Sequence, residues 1–242
     1  MATFHHRLKS GKKGTAKDHI DYITRQGKHA KRDDLIYAES SNLPDWAEGD
    51  PAKFFKASDT YERANGAAYR EHVIALPKEL TMEQNCALAK QIAQELVGNK
   101  PRVLAVHAPE GKLGGTSNPH VHLAYSDRVQ DGINRPIDKT FARYNAAHPE
   151  AGGCRKDSGG RNAVELRDDV IAKRKKIADT INQALAVHGH DARVDHRSHK
   201  ERGIERQPER HLGPAKIKHM SEDDKAMYVT RRSTHASDLQ PA

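Results

Sequence analysis

Cysteine is nearly missing from this chain: Cys86 and Cys154 are the only two, too few and too far apart for a disulfide framework or a zinc ribbon. Any bound metal must therefore sit on histidine, aspartate or glutamate. Aromatic residues make up only 5% and the hydrophobic class 36%, against 31% charged residues and a mean hydropathy of -0.89, so part of the chain belongs to a surface arm rather than a core. No apolar run approaches the roughly 20 residues a spanning helix needs. The opening residues, MATFHHRLKSGKK, lack the apolar stretch of a signal peptide, so a cytoplasmic protein without membrane insertion is expected. Acid is also short: 41 Lys and Arg face 33 Asp and Glu, a formal net charge of +8, and 16 histidines add charge below about pH 6.5. A polyanionic partner fits that balance, although charge alone does not identify it.

What is present is a chain of 242 residues, long enough for one large domain or two small ones with a real hydrophobic core. No internal repeat is visible, and the punctuation divides the sequence into three parts. Residues 1–146 read as a compact core. Residues 147–214 read as an extension of the same domain, made of an exposed loop, a long helix and a basic arm, and 215–242 as a flexible tail. The loop, HPEAGGCRKDSGGR at 148–161, holds four glycines and no apolar period, which predicts an exposed, mobile joint.

Within the core, 3–8 reads as a strand, 15–26 as a helix closed by Gly27, and 51–64 as a second helix. Residues 67–76 have the β-branched content of a strand and end at Pro77. Thr81 with Gln84 three positions on forms a capping box for a helix over 81–97, stopped by Gly98. Strands 102–108 and 120–126, joined by PEGKLGGTSNP, predict an antiparallel hairpin. The long helix spans 161–188, with Val164, Val170, Ile171, Ile177, Ile181 and Leu185 as its apolar stripe and Gly189 as terminator. Strands and helices mixed without regular βαβ alternation predict an α+β fold: an antiparallel sheet with flanking helices packed on one face, plus the long C-terminal helix and basic arm.

Three features carry chemistry. On a strand over 120–126, His120 and His122 share one face while Val121, Leu123 and Tyr125 share the other. A hairpin would bring His107 beside them, and three imidazoles can hold a divalent ion with positions left open for water or substrate. The plainer alternative is a pair of strand histidines bonded to backbone. Tyr22 lies on the helix off the stripe formed by Ala16, Ile20 and Ile23, on a face with Asp18 and Arg25. A phenol becomes a nucleophile beside a cation or a base; otherwise Tyr22 is a packing or surface residue. Glu71 shares a strand face with Val73 and Ala75, where it would orient a histidine, bind metal or take a proton, or simply face water on an edge strand.

The segments DYITRQGKHA, YERANGAAYREHVIALPKEL, AVHA, NPHVHLAYSDRVQDGINRP, FARYN and GHDARVDHRSHKERGIERQPERHLGP occur in this order over residues 1–214. Together they resemble the MobA/MobL family of plasmid mobilisation relaxases, particularly members carried by IncQ plasmids, which belong to the HUH endonucleases. The resemblance implies a metal-dependent, site- and strand-specific DNA endonuclease and transesterase. Tyr22 would attack the phosphodiester at the nic site of an origin of transfer, leaving a 5′ phosphotyrosine and a free 3′ hydroxyl, and the strand would be rejoined after conjugative transfer. His107, His120 and His122 would hold a divalent ion, Mg²⁺ or Mn²⁺, with Glu71 assisting tyrosine or metal. Some members carry a second acid two positions on, where this chain has Val73. Implied partners are plasmid oriT DNA, single-stranded at nic, relaxosome accessory proteins and a type IV secretion coupling protein; the protein would be cytoplasmic in a bacterium and would travel covalently bound to DNA.

Arg63, Arg128 and Arg143 lie in the matched segments and are DNA contacts by resemblance. Over 196–219, Arg197, Lys200, Arg202, Arg206, Arg210, Lys216 and Lys218 face only three glutamates, the pattern of a phosphate-tracking arm or of a solvated, salt-bridged surface. Related relaxases often continue into a primase, helicase or interaction region, so a chain ending at Ala242 is expected to be a minimal relaxase or an excised domain. Three rivals remain. Replication initiators and transposases with the same metal and tyrosine usually place the tyrosine after the histidine pair. A three-histidine zinc hydrolase would make Tyr22 incidental, and a non-catalytic DNA-binding protein would need no metal.

Overall fold

The computed structural model describes residues 4–111, 113, 115, 117–205, 212 and 214–237. Strands β1 (His6–Lys12), β2 (Leu35–Ser41), β3 (Ala67–Ala75), β4 (Arg102–His107) and β5 (His120–Tyr125) form one sheet in the order β1-β3-β5-β4-β2, every neighbouring pair antiparallel. The helices are α1 (Ala16–Ile23), α2 (Pro51–Tyr61), α3 (Met82–Val97), the short α4 (Ile137–Thr140), α5 (Ala163–Val187), α6 (Pro214–Lys218) and α7 (Glu222–Ser237). Among the described residues no helix is long and apolar enough to cross a membrane.

The α+β class is as expected, but the helices cover both faces of the sheet rather than one. Leu88, Ile92 and Leu96 of α3, with Ile177, Ile181 and Leu185 of α5, pack on Ile74, Leu104, Val106, Val121, Leu123 and Tyr125. Ala16, Ile20 and Ile23 of α1, with Phe54 and Phe55 of α2, pack on Ala68, Val103, Ala105 and Ala124 of the opposite face. The reason is in β4, whose residues are buried at both alternating positions, so each of its faces demands a cover. Small side chains on the α1 side, Ala105 and Ala124, let α1 lie close to the sheet, which is where the functional groups gather.

Several boundaries differ from the sequence reading. β1 starts at His6 and runs on to Lys12, with a register shift at Gly11, where a Cβ would sit 1.8 Å from the Tyr69 ring. α1 ends at Ile23 instead of 26, because Arg25 turns into the left-handed region with φ 56°. β2 was not anticipated; it is an edge strand paired with β4, and only its β4 partner identifies it. The capping box at Thr81 and Gln84 and the stop at Gly98 are present as expected. In α5 only the later part of the stripe is covered: Ile177, Ile181 and Leu185 are buried, whereas Val164 and Ile171 are exposed.

The joint at 148–161 is stitched down rather than loose. Gly153 N–H donates to the Arg143 carbonyl at 3.0 Å, Cys154 N–H to Thr140 at 3.2 Å, and Asp157 N–H to Asp127 at 2.8 Å. A Cβ on Gly153 would lie 2.2 Å from the Ala142 carbonyl oxygen, so glycine here permits close packing instead of freedom. The arm likewise begins against α5, where Asn182 exchanges two hydrogen bonds with the Val194 backbone at 2.8 and 2.9 Å. The stretch expected to be a tail contains α6 and α7.

Candidate active site

The helix that carries Tyr22 is anchored from outside itself. Asp59 of α2 accepts the N–H groups of Gly14 at 2.7 Å and of Ala16 and Lys17 at 2.9 Å each, satisfying the unpaired donors at the start of α1. With Ala16, Ile20 and Ile23 buried, the same helix turns His19 and Tyr22 toward the imidazoles of the sheet. The half-buried Tyr22 ring lies 6.3 Å from His122, 6.2 Å from His19 and 5.3 Å from His29 between ring centres. The guanidinium carbons of Arg25 and Arg32 stand 4.7 and 5.4 Å from the Tyr22 ring centre, so the phenol faces two fixed cations.

Strand register assembles the three histidines. His107 at the end of β4 is paired directly with His120 at the start of β5, and His122 is paired with Ala105 on one side and Val73 on the other. Their ring centres are 4.9–5.5 Å apart, and one nitrogen from each lies within 4.8 Å of the others. Each ring has its other nitrogen fixed by an acceptor. His120 Nδ1 donates to the Asn118 carbonyl at 2.9 Å, His122 Nδ1 to Glu71 Oε1 at 2.7 Å, and His107 Nε2 to the Ile23 carbonyl at 2.7 Å. These assignments follow from the acceptors and leave lone pairs on His120 Nε2, His122 Nε2 and His107 Nδ1. Burial pushes His107 down to about 4 and lowers His120 as well, so both are neutral near pH 7, the state a ligand requires. This donor set fits a divalent ion with open coordination positions.

Glu71 lies behind these rings. It is fully buried on β3, an interior strand between β1 and β5, so the edge-strand alternative does not apply. Its Oε1 accepts from His122 Nδ1 and His19 Nε2, both at 2.7 Å, and Lys9 Nζ stands 3.1 Å from Oε2. Burial by itself would raise its pKa, but the hydrogen bonds and charges of His122 and His19 together prevail and hold the carboxyl well below the usual carboxylate range. So strong an acid is a poor proton acceptor and a good fixed anion.

Sequence reasoning missed His19 and Asp34. His19 was visible three positions before Tyr22, the spacing that puts two side chains on one helix face. Arg25 was legible as a cation on the face of Tyr22, but its contacts with Asp34 and His107 depend on a backbone turn that ends α1 early. The nucleic-acid candidates separate. Arg63, Arg143 and Lys200 are exposed, and Arg197 and Arg202 reach Asp195 at 2.7 and 3.3 Å. Arg128 is corrected: it is buried, with Nε and Nη2 on the Glu62 carboxylate at 3.0 Å each. Its Nη1 bonds the carbonyls of Ala142 and Cys154, and Nη2 also bonds that of Phe141, so no donor points to a solvent-borne phosphate. Arg206 and Arg210 lie outside the described residues.

Residues 6–222 match the model of the MobA/MobL family, and the chain belongs to that family. It is 44% identical over 220 residues to Mobilization protein A of Escherichia coli, covering 88% of this chain and 30% of that relative. It is 40% identical over 210 residues to a 43 kDa relaxation protein of Salmonella typhimurium, covering 86% of this chain and 57% of the relative. The chain therefore matches less than two thirds of the length of either one. A solved structure describing the molecular basis of vancomycin resistance transfer in Staphylococcus aureus superposes with a TM-score of 0.60 at 21% identity, over 81% of this chain and 100% of the other, and so shares the fold.

Proposed function

We propose that this protein is a DNA relaxase that nicks one strand at the nic site of a plasmid origin of transfer and rejoins it after conjugative transfer. The observation that supports it most is the convergence of a tyrosine helix on three imidazoles that each bring one nitrogen within 4.8 Å of the others. Tyr22 Oη attacks the scissile phosphorus and displaces the 3′ oxygen, forming a 5′ phosphotyrosine; the proton lost by the phenol equals the one gained by the freed 3′ hydroxyl. A divalent ion, Mg²⁺ or Mn²⁺, held by His107, His120 and His122 would neutralise charge on the scissile phosphate. Arg25 and Arg32 stand over the Tyr22 ring and hold it in place beside the imidazoles. Glu71 orients His122 and His19 and touches neither phosphate nor phenol.

Arg63, Arg143, Arg197, Lys200 and Arg202 supply contacts to the oriT phosphates, a role Arg128 leaves to them. Accessory relaxosome proteins and a type IV secretion coupling protein are the further partners in this reading, which places the protein in the bacterial cytoplasm and, once linked, on the transferred strand.

Covalent capture tests it. Wild-type and Tyr22→Phe protein are incubated with a single-stranded library and a candidate origin sequence, with and without Mn²⁺, and DNA-linked protein is resolved on denaturing gels. A metal-dependent adduct mapped to Tyr22 and absent from Tyr22→Phe is the expected result. Tight DNA binding with no adduct on any sequence in excess Mn²⁺ would replace this reading with a non-catalytic DNA-binding protein.

A further inference from the structure

Arg25 sits where the tyrosine helix meets the histidine cluster. It is buried, and its φ of 56° lies in the left-handed region that non-glycine residues rarely adopt. That turn folds the side chain back under Tyr22. Nε and Nη2 donate to Asp34 Oδ1 and Oδ2 at 2.7 Å each, and Nη1 donates to the Tyr22 carbonyl. Nη2 also lies 3.1 Å from Nδ1 of His107. A guanidinium has donors only, so His107 Nδ1 is the acceptor in that contact. Donation from His107 Nε2 to the Ile23 carbonyl at 2.7 Å demands the same tautomer. Two independent contacts thus leave Nδ1 as the one lone pair His107 can give, in contrast to the Nε2 lone pairs of His120 and His122.

We propose that Arg25 is a positioning residue joining the nucleophile to the metal centre: it sets His107 as an Nδ1 ligand and shares that lone pair, so that binding a divalent ion displaces Nη2 from His107. The inference rests on the reading of His107, His120 and His122 as metal ligands. One lone pair cannot serve a guanidinium N–H and a metal at once. The ion therefore binds in competition with Arg25, and Arg25 keeps its bonds to Asp34 and the Tyr22 carbonyl after it lets go. Metal loading and the placement of Tyr22 are coupled through a single side chain. The lost hydrogen bond, from a charged donor, corresponds to about tenfold in metal affinity.

The test uses the full chain with Zn²⁺ as a diamagnetic probe and follows the imidazole nitrogens by long-range ¹H–¹⁵N NMR, alongside calorimetric titration. The expected spectra show His107 coordinating through Nδ1 with Nε2–H retained, and Arg25→Met binds Zn²⁺ about tenfold more tightly than wild type. Should Arg25→Met fail to fold with Asp34 left only its longer pairing to Arg32 at 3.6 Å, the double variant Arg25→Met/Asp34→Leu removes both charges together and is titrated in its place. Coordination through His107 Nε2, or a zinc affinity unchanged or weakened in these variants, overturns the inference alone. If wild-type zinc affinity survives His120→Ala, the metal reading itself falls and takes the inference with it.

Discussion

Removing the carboxylate behind the imidazoles should cost both stability and metal affinity, in proportions the geometry sets. In Glu71→Ala, His122 Nδ1–H and His19 Nε2–H each lose an acceptor 2.7 Å away, at a position with no access to water. A hydrogen bond to a charged group contributes about 1.5–3 kcal/mol, so the pair amounts to about 3–6 kcal/mol. Lys9, whose side chain is 36% exposed, adds little because solvent screens it. Against a total stability of about 5–15 kcal/mol this is a large share, and at about 2–4 °C per kcal/mol the melting temperature falls by roughly 6–24 °C. Glu71→Gln keeps the shape and one acceptor oxygen but turns an amide N–H₂ toward Lys9 and gives up the negative charge. Its melting temperature should fall by less than half as much, while affinity for Mn²⁺ drops about 10–100-fold, as when an outer partner of a ligating histidine is lost. Differential scanning calorimetry and Mn²⁺ titration read the two effects separately. A Glu71→Ala protein with wild-type metal affinity would refute the claim that this side chain holds His122 in its ligating orientation.

Arg128→Met should destabilise by about 1.5–3 kcal/mol, since Glu62 loses the guanidinium fork while Lys156 stays 3.2 Å from it. The salt dependence of DNA binding should not change, and a shallower slope of affinity against salt would show that Arg128 meets phosphate after all. Burial drives His6 down to about 4 and His72 well below its ordinary value, whereas both titrate near 6.5 when unfolded. The unfolded chain therefore takes up more protons in that window, and stability is lost as pH falls from 6.5 toward 4, His6 alone accounting for on the order of 3 kcal/mol. Urea midpoints at pH 7 and pH 5 measure this, and equal midpoints would contradict it. Gly153→Ala should cost about 1–3 kcal/mol, because the new Cβ would sit 2.2 Å from the Ala142 carbonyl oxygen and the chain must shift; an unchanged urea midpoint would mean that the joint is as loose as its sequence suggested.

Periodicity and punctuation were enough for the elements whose residues declare themselves. Thr81, Gln84 and Gly98 bound α3 by local chemistry alone, and alternation on β5 separates His120 and His122 from Val121, Leu123 and Tyr125. The elements that were misread depend on distant partners. β2 has the weakly apolar sequence LIYAESS and owes its form to pairing with β4. The joint looked loose because its glycines resemble those of a flexible loop, yet Gly152 and Gly153 are buried against residues 142–145. Arg128 looked like a phosphate contact because a sequence does not show that Glu62, 66 positions earlier, awaits it. At the site, the imidazoles and Tyr22 were legible as residue types at telling spacings. Asp34 was not, and Arg25 was legible only as a cation beside Tyr22, since the contacts of both arise only where α1 breaks off beside β4.

The strand order has a bearing on when in folding the site comes into being. The β4–β5 pairing has the shortest connection in the sheet, residues 108–119, and gathers His107, His120 and His122, but their other partners must arrive from far along the chain. His122 meets Glu71 across 51 positions, His19 meets Glu71 across 52, and Arg25 meets His107 across 82. Contacts of such separation bear the loop-closure entropy first and repay it late, which slows the folding of sheets built this way. A chain that has formed only its central hairpin has all three histidines together and no nucleophile near them. Only when the long-range pairings, β1 on β3 and α1 against the sheet, are made does Tyr22 stand beside the histidines, so a partly folded copy lacks the assembled site until the whole sheet has closed.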